Sequence, residues 1–176
     1  TGLPIAYANL VGGQDELVFD GGSCLVDAEG RTAMRATAFR EGLFFCELDG
    51  DGAVEPVPGR LAPLADEVAS IYMALVTGVR DYVGKNGFPG VVLGLSGGVD
   101  SALTLAIAVD ALGAGAVQTV MMPYRYTAAI SIEDARAQAD SLGVQHQVIP
   151  IEPLVTAARG SLAPLFAGLP AGTTEE

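Results

Sequence analysis

The sequence predicts an α/β fold, a doubly wound parallel sheet preceded by a short β-rich segment, on three grounds. Beyond residue 90, short apolar runs alternate with helical patterns in the order β-α-β-α-β-α. Residues 1–50 instead carry short apolar runs separated by glycine and aspartate, the pattern of small antiparallel strands. Between the two, residues 50–63 hold glycine, aspartate, Pro56, Pro58 and Pro63, which read as a linker. The expected domains are therefore 1–52, the tail of one domain; 53–63, a linker; and 64–176, the beginning of a second.

Residues 5–11 form the first apolar run, punctuated by Gly12 and Gly13. Short strands follow at 17–19, 24–26, 32–37 and 43–48, the last closed by a turn at 49–52. This predicts a meander too small to cover both its faces by itself. Cys24 and Cys46 fall in these strand-like runs with no CxxC or metal-ligand spacing. Both read as small buried hydrophobes in a reducing cytosol.

Leu64, Val68, Ile71, Leu75, Val79 and Tyr82 recur three or four residues apart. They predict an amphipathic helix over 64–85, stopped by Asn86, Gly87 and Pro89. Val91, Val92 and Leu93 read as a buried strand that runs into a turn of small residues and then a helix over 101–112, ended by Gly113. A strand over 117–122 stops at Pro123. Ser131, with Asp134 three residues on, predicts a capped helix to Leu142, terminated by Gly143. Residues 144–151 read as a strand, with His146 (the only histidine) an ordinary strand residue, and 153–166 as a helix.

Parallel sheets with right-handed crossovers bind ligands beyond the carboxyl ends of their strands. Residues 94–101, 121–127 and the turn after Ile151 should meet there. The first of these carries the chemistry. A strand that enters a helix through Gly94, Ser96, Gly97 and Gly98 leaves backbone N–H groups aimed at one spot, with the positive helix end behind them. Its spacing is not GxxxxGK[ST], because Asp100 stands where the lysine belongs, and it is not GxGxxG. A carboxylate beside a phosphate cradle repels the ligand unless a cation lies between, so Asp100 implies Mg²⁺ bridging to pyrophosphate oxygens. Residues 121–130, with Arg125, two tyrosines and Thr127, read either as a cover over a nucleotide, Arg125 neutralising phosphate or carboxylate, or as a solvated surface loop.

Composition narrows the partners. Half the residues are hydrophobic, so a sizeable core is expected, and no apolar run reaches the roughly 18 residues of a membrane span. Nine Lys and Arg against 21 Asp and Glu give a net charge of −12 without a basic cluster. That argues against nucleic-acid backbones and anionic membrane surfaces as partners. The chain opens on Thr1, with no signal peptide ahead of its first strand, and closes on TTEE; it reads as a segment of a longer protein.

SGGVDS at 96–101 resembles the pyrophosphate loop of ATP-pyrophosphatase enzymes, which cleave ATP between its α and β phosphates. Three longer stretches, IAYANLVGGQDELVFDGGSCLVDAEGR, IYMALVTGVRDYVGKNGFPGVVLGLSGGVDSALTLAIAVDALG and MMPYRYTAAISIEDARAQADSLGV, resemble the glutamine-dependent NAD synthetase family. The resemblance implies a nitrilase-like glutaminase tail followed by a Rossmann-like ATP-pyrophosphatase domain, here truncated. It implies adenylation of deamido-NAD by Mg-ATP and displacement of AMP by glutamine-derived ammonia, in a cytoplasmic homo-oligomer. Carried over by position, Gly94, Leu95, Ser96, Gly97, Gly98, Val99, Asp100 and Ser101 would bind ATP, and Asp100 the metal. Met121 and Pro123 would lie by the adenine or ribose. The glutaminase Glu, Lys and Cys are expected ahead of Thr1, and neither Cys24 nor Cys46 is assigned to that role. The second metal carboxylate and most of the deamido-NAD site are expected past Glu176, so these residues by themselves are expected to bind ATP without turnover. Competing readings change the acceptor (GMP synthetase, asparagine synthetase or a tRNA-modifying adenylating enzyme) or reduce the site to a non-catalytic nucleotide-binding module.

Overall fold

The computed structural model describes residues 2–46, 54 and 61–167. The chain forms two compact units, one of residues 1–91 with 106–117, the other of 92–105 with 118–176.

In the first unit, strand β1 (Ile5–Tyr7) is followed by β2 (Val11–Gln14), β3 (Leu17–Asp20), β4 (Cys24–Val26) and β5 (Thr32–Arg35). These strands do not form the simple meander expected of them. β1, β4 and β5 make one antiparallel sheet, in the order β1-β4-β5, while β2 and β3 make a separate hairpin. The run expected as one strand at 5–11 is split because Asn9 leaves the ladder. Its N–H donates to the Ser23 hydroxyl at 3.0 Å, and that hydroxyl donates back to the Asn9 carbonyl at 3.3 Å. A local side-chain partner thus lets the chain pass from one sheet to the other. Leu25, Ala33, Met34 and Val54 form a small buried cluster.

At the β4–β5 turn the buried Asp27 carboxylate accepts the Glu29 N–H, the Arg31 N–H and Arg31 Nε at 3.1, 2.8 and 2.7 Å. Burial opposes its charge, but these donors outweigh it and hold the carboxyl below its ordinary value.

No strand forms at 43–46, where Leu43 and Phe45 are exposed. The edge of β5 that such a strand would need is met by Leu61, which bridges Arg35, and by Ala62, whose N–H donates to the Arg35 carbonyl at 3.1 Å. Cys46 is exposed, not buried, and Cys24 is half-buried in β4. The rest of the expected strand, the turn at 49–52 and most of the expected linker, Pro56 and Pro58 included, lie outside the described residues, as does the TTEE terminus.

Helix α1 (Glu67–Lys85) starts three residues later than expected, because Asp66 caps it by accepting the Ala69 N–H at 2.9 Å. It carries two adjacent apolar stripes. Tyr72, Val76, Val79 and Val83 turn inward, and Val76 packs with Ile107 and Ala111. Spacing picked out Leu64, Val68, Ile71, Leu75, Val79 and Tyr82; of these Val79 packs inward, whereas Val68, Ile71, Leu75 and Tyr82 are exposed, as is Leu64 ahead of the helix. The β2 glycines lie against this helix. The Gly13 N–H donates to Asp81 Oδ2 at 2.8 Å, Lys85 Nζ donates to the Gly13 carbonyl, and Lys85 pairs with Asp81 at 3.2 Å. A Cβ at Gly12 would stand 2.7 Å from Asp81 Oδ2.

The second unit carries the α/β part. Strands β6 (Val91–Gly94), β7 (Val117–Met121) and β8 (Gln145–Val148) form one sheet in that order, Val91 and Val117 being grouped with the first unit. β7 and β8 run parallel, from Gln118 opposite Gln145 to Met121 opposite Val148. Helices α2 (Val99–Leu112), α3 (Ala129–Leu142) and α4 (Glu152–Leu162) follow the three strands, which bears out the α/β reading. Leu95, Thr119, Met121, Ala135 and Ala139 are buried.

The boundaries differ at several points. α2 begins at Val99, ahead of the expected Ser101. α3 begins at Ala129 with no side-chain cap, so Ser131 and Asp134 do not form a capping box. β8 is confined to four residues, and α4 passes into a 3₁₀ turn at Ala163–Phe166. His146 sits in β8 with Nδ1 at 2.9 Å from the Thr119 hydroxyl, which donates to the Gln145 carbonyl at 3.1 Å. No helix among the described residues is long and apolar enough to cross a membrane.

Candidate functional site

The site begins where β6 gives way to α2. Gly94 closes the strand, and the buried Leu95 donates its N–H to the Val120 carbonyl at 2.9 Å, which ties the start of the loop to β7. Gly97 then adopts φ 80°, a conformation natural to glycine. A Cβ there would collide with the carbonyl oxygen of Ser131 on α3, so the crest of the loop and the start of α3 are in direct backbone contact.

Two hydroxyls and two amides converge in front of α2. Ser101 Oγ donates to the Gly98 carbonyl at 2.9 Å and accepts the Ser96 N–H at 3.2 Å. Ser96 Oγ lies 3.0 Å from Ser101 Oγ and accepts the Gly98 N–H at 3.3 Å. All four bonds are solvent-exposed, so a phosphate can take over these donors at the positive end of the helix. Val99 and Asp100 open the first turn of α2, and both are exposed.

A cavity of about 550 Å³ adjoins this loop, lined by residues 94–96, 120–122 and 126–128 together with Ser131. Its size suits a small-molecule ligand. Of the residues singled out from the sequence, Gly94, Leu95, Ser96 and Met121 line it. Gly98 and Ser101 join through hydrogen bonds to Ser96, while Gly97, Val99 and Asp100 complete the turn. Pro123 stands off the wall, and its carbonyl accepts the Ile151 N–H at 3.1 Å.

Met122, Tyr126 and Thr127 belong to the stretch 121–127 expected here, whereas Val120, Ala128 and Ser131 lie outside it. Ser131 faces the loop through its backbone, for which a sequence carries no signal beyond the glycine at 97. Arg125 does not line the cavity. Its guanidinium pairs with Glu152 at 3.3 Å and lies 4.9 Å from the Tyr124 ring centroid. The segment around Ile151 reaches this region through that ion pair, through the Ile151 N–H on the Pro123 carbonyl, and through the Ile149 N–H, which donates to the Met121 carbonyl at 2.8 Å.

Among the described residues no group of three or more His, Cys, Asp or Glu gathers to hold a metal. One exposed carboxylate in the first turn of α2 nonetheless suits Mg²⁺, which commonly binds one or two carboxylates together with substrate phosphates. Asp100 is that carboxylate.

The sequence profile described as NAD synthase matches residues 71–168, a span that contains the loop and every residue lining the cavity. The chain belongs to the NAD synthase family. The glutamine-dependent NAD(+) synthetase of Acinetobacter baylyi is 48% identical over 176 residues, covering 98% of this chain and 32% of that protein. That of Xylella fastidiosa is 46% identical over 177 residues, with 100% and 32% covered. Among solved structures, the glutamine-dependent NAD⁺ synthetase of Acinetobacter baumannii in complex with ADP superposes with a TM-score of 0.92 at 50% identity, covering 99% of this chain and 33% of that one. The chain thus spans about a third of the length of these NAD synthase relatives.

Proposed function

We propose that this chain supplies the ATP-binding loop of a glutamine-dependent NAD synthetase, a ligase that converts deamido-NAD to NAD. The observation that carries the proposal is the convergence of the Ser96 and Ser101 hydroxyls with the Ser96 and Gly98 amides at the N-terminus of α2, beside a cavity sized for a nucleoside. The A. baumannii relative, solved with ADP, supports an adenine nucleotide as its occupant.

In the reaction, a carboxylate oxygen of deamido-NAD attacks the α-phosphorus of ATP, and the bond to the bridging oxygen breaks to release pyrophosphate. Ammonia then attacks the acyl carbon, AMP leaves, the amide forms and a proton is lost. The loop amides and the Ser96 and Ser101 hydroxyls would hold pyrophosphate oxygens as charge builds on them. Asp100 would hold Mg²⁺, which supplies further neutralisation of that charge.

The reading extends to domain organisation: residues 1–52 as the tail of a nitrilase-like glutaminase domain, 53–63 as linker, 64–176 as the start of the synthetase. It also includes a cytoplasmic homo-oligomer, which the exposed stripe Val68, Ile71 and Leu75 supports.

The test is AMP and pyrophosphate release from Mg-ATP by the protein at the full length of its relatives, with and without deamido-NAD. Release that requires deamido-NAD, and NAD formation on adding glutamine or ammonia, is the expected result. Cleavage with another acceptor only would move the protein to a different amide-forming reaction. ATP binding with no cleavage under any condition would leave a nucleotide-binding module.

A further inference from the structure

We propose that Tyr126 is a nucleoside-positioning residue, its ring face stacking on the base of the nucleotide whose phosphates the 94–101 loop binds. The inference rests on the reading of that loop as an ATP site. Among the described residues Tyr126 is the one aromatic side chain lining the cavity, on the wall it shares with Thr127, Ala128 and Ser131. A nucleotide anchored by its phosphates at the N-terminus of α2 extends its nucleoside into this cavity, past Met121 and Met122, toward that wall.

Tyr126 is 65% exposed and yet held in place. Thr127 closes the turn on itself: its hydroxyl accepts the Tyr124 N–H at 2.9 Å, and its own N–H donates to the Tyr124 carbonyl at 2.8 Å. The Tyr126 ring meets Tyr124 edge-on, with centroids 5.6 Å apart at 72°. The Arg125 guanidinium, 6.0 Å from the Tyr126 centroid, is tethered to Glu152 at 3.3 Å. Behind the turn, the Gly97–Ser131 contact fixes this wall to the loop. An exposed aromatic face that is ordered before the ligand arrives loses little freedom on binding. Stacking on a base is the interaction such a face makes best, and it is blind to the phosphates.

That separation gives the test. Binding of Mg-ATP and of Mg-tripolyphosphate is measured by calorimetry on the full-length protein, as wild type, Tyr126→Ala and Tyr126→Phe. Loss of one stacking partner weakens a bound base by roughly ten- to a hundredfold. Tyr126→Ala should therefore lose about that factor for ATP and leave tripolyphosphate unchanged, while Tyr126→Phe should bind ATP like wild type. ATP binding unchanged by the alanine, or weakened equally for both ligands, would overturn the proposal; so would a phenylalanine variant as weak as the alanine. Wild-type protein that binds neither ligand would instead remove the ATP reading, and this inference with it.

Discussion

A methyl group added at Gly97 would have to hold φ 80° and would run into the carbonyl oxygen of Ser131. The first demand costs about 1–2 kcal/mol, and the second pushes α3 away from the loop it braces. Gly97→Ala is expected to weaken Mg-ATP binding at least tenfold and to lower the melting temperature by a few degrees, both measurable on the same preparation. At this scale much of the site could be read from the sequence. Asp100 in place of a lysine, and serines five residues apart around a glycine pair, are chemical statements made by side chains. The other half of the interlock escaped because Ser131 acts through a backbone carbonyl, and Arg125 stayed open between nucleotide cover and surface loop because nothing local announces Glu152, 27 residues on, as its partner.

Asp81 on α1 joins distant elements. Burial raises its pKa, but the Gly13 N–H, Lys85 and Arg80 together bring it below the ordinary value for aspartate. A carboxyl depressed in the folded state stabilises above its unfolded pKa, near 4, and that stability is lost as pH falls through the lower folded value. Asp81→Asn should therefore cost about 1 kcal/mol at pH 7, and the difference from wild type should close as the pH of urea titrations is lowered toward 3. If the gap persisted unchanged at acid pH, the carboxylate would not be the source. The elements themselves were mostly legible, because glycine and proline punctuate them. Choice among competing surfaces was not: α1 has two apolar stripes, and only contact with Ile107 and Ala111 decides which turns inward. In the same way 43–46 looks like a strand until Leu61 and Ala62 take the edge it would have used.

For the whole molecule, the order of strands and helices and the family followed from the sequence, whereas the grouping of 106–117 with the first unit did not. Such grouping depends on contacts between residues far apart in the chain, and periodicity reports only on neighbours. The outward stripe on α1 has a consequence at this scale. Val68 and Ile71 are 77% and 56% exposed, and an apolar face of that kind favours association. Replacing both with lysine should reduce concentration-dependent self-association in sedimentation experiments on this chain. Because neither is buried, thermal stability should shift by no more than a surface substitution allows, about 0.5 kcal/mol.

The pairing of β7 with β8 also ties down the chain's one histidine. The Thr119 hydroxyl stands 3.1 Å from the Gln145 carbonyl and 2.9 Å from His146 Nδ1. It has one hydrogen, so it can donate to only one of the two at a time. The contact crosses from one strand to the next, so the imidazole keeps this partner only while the two strands stay together.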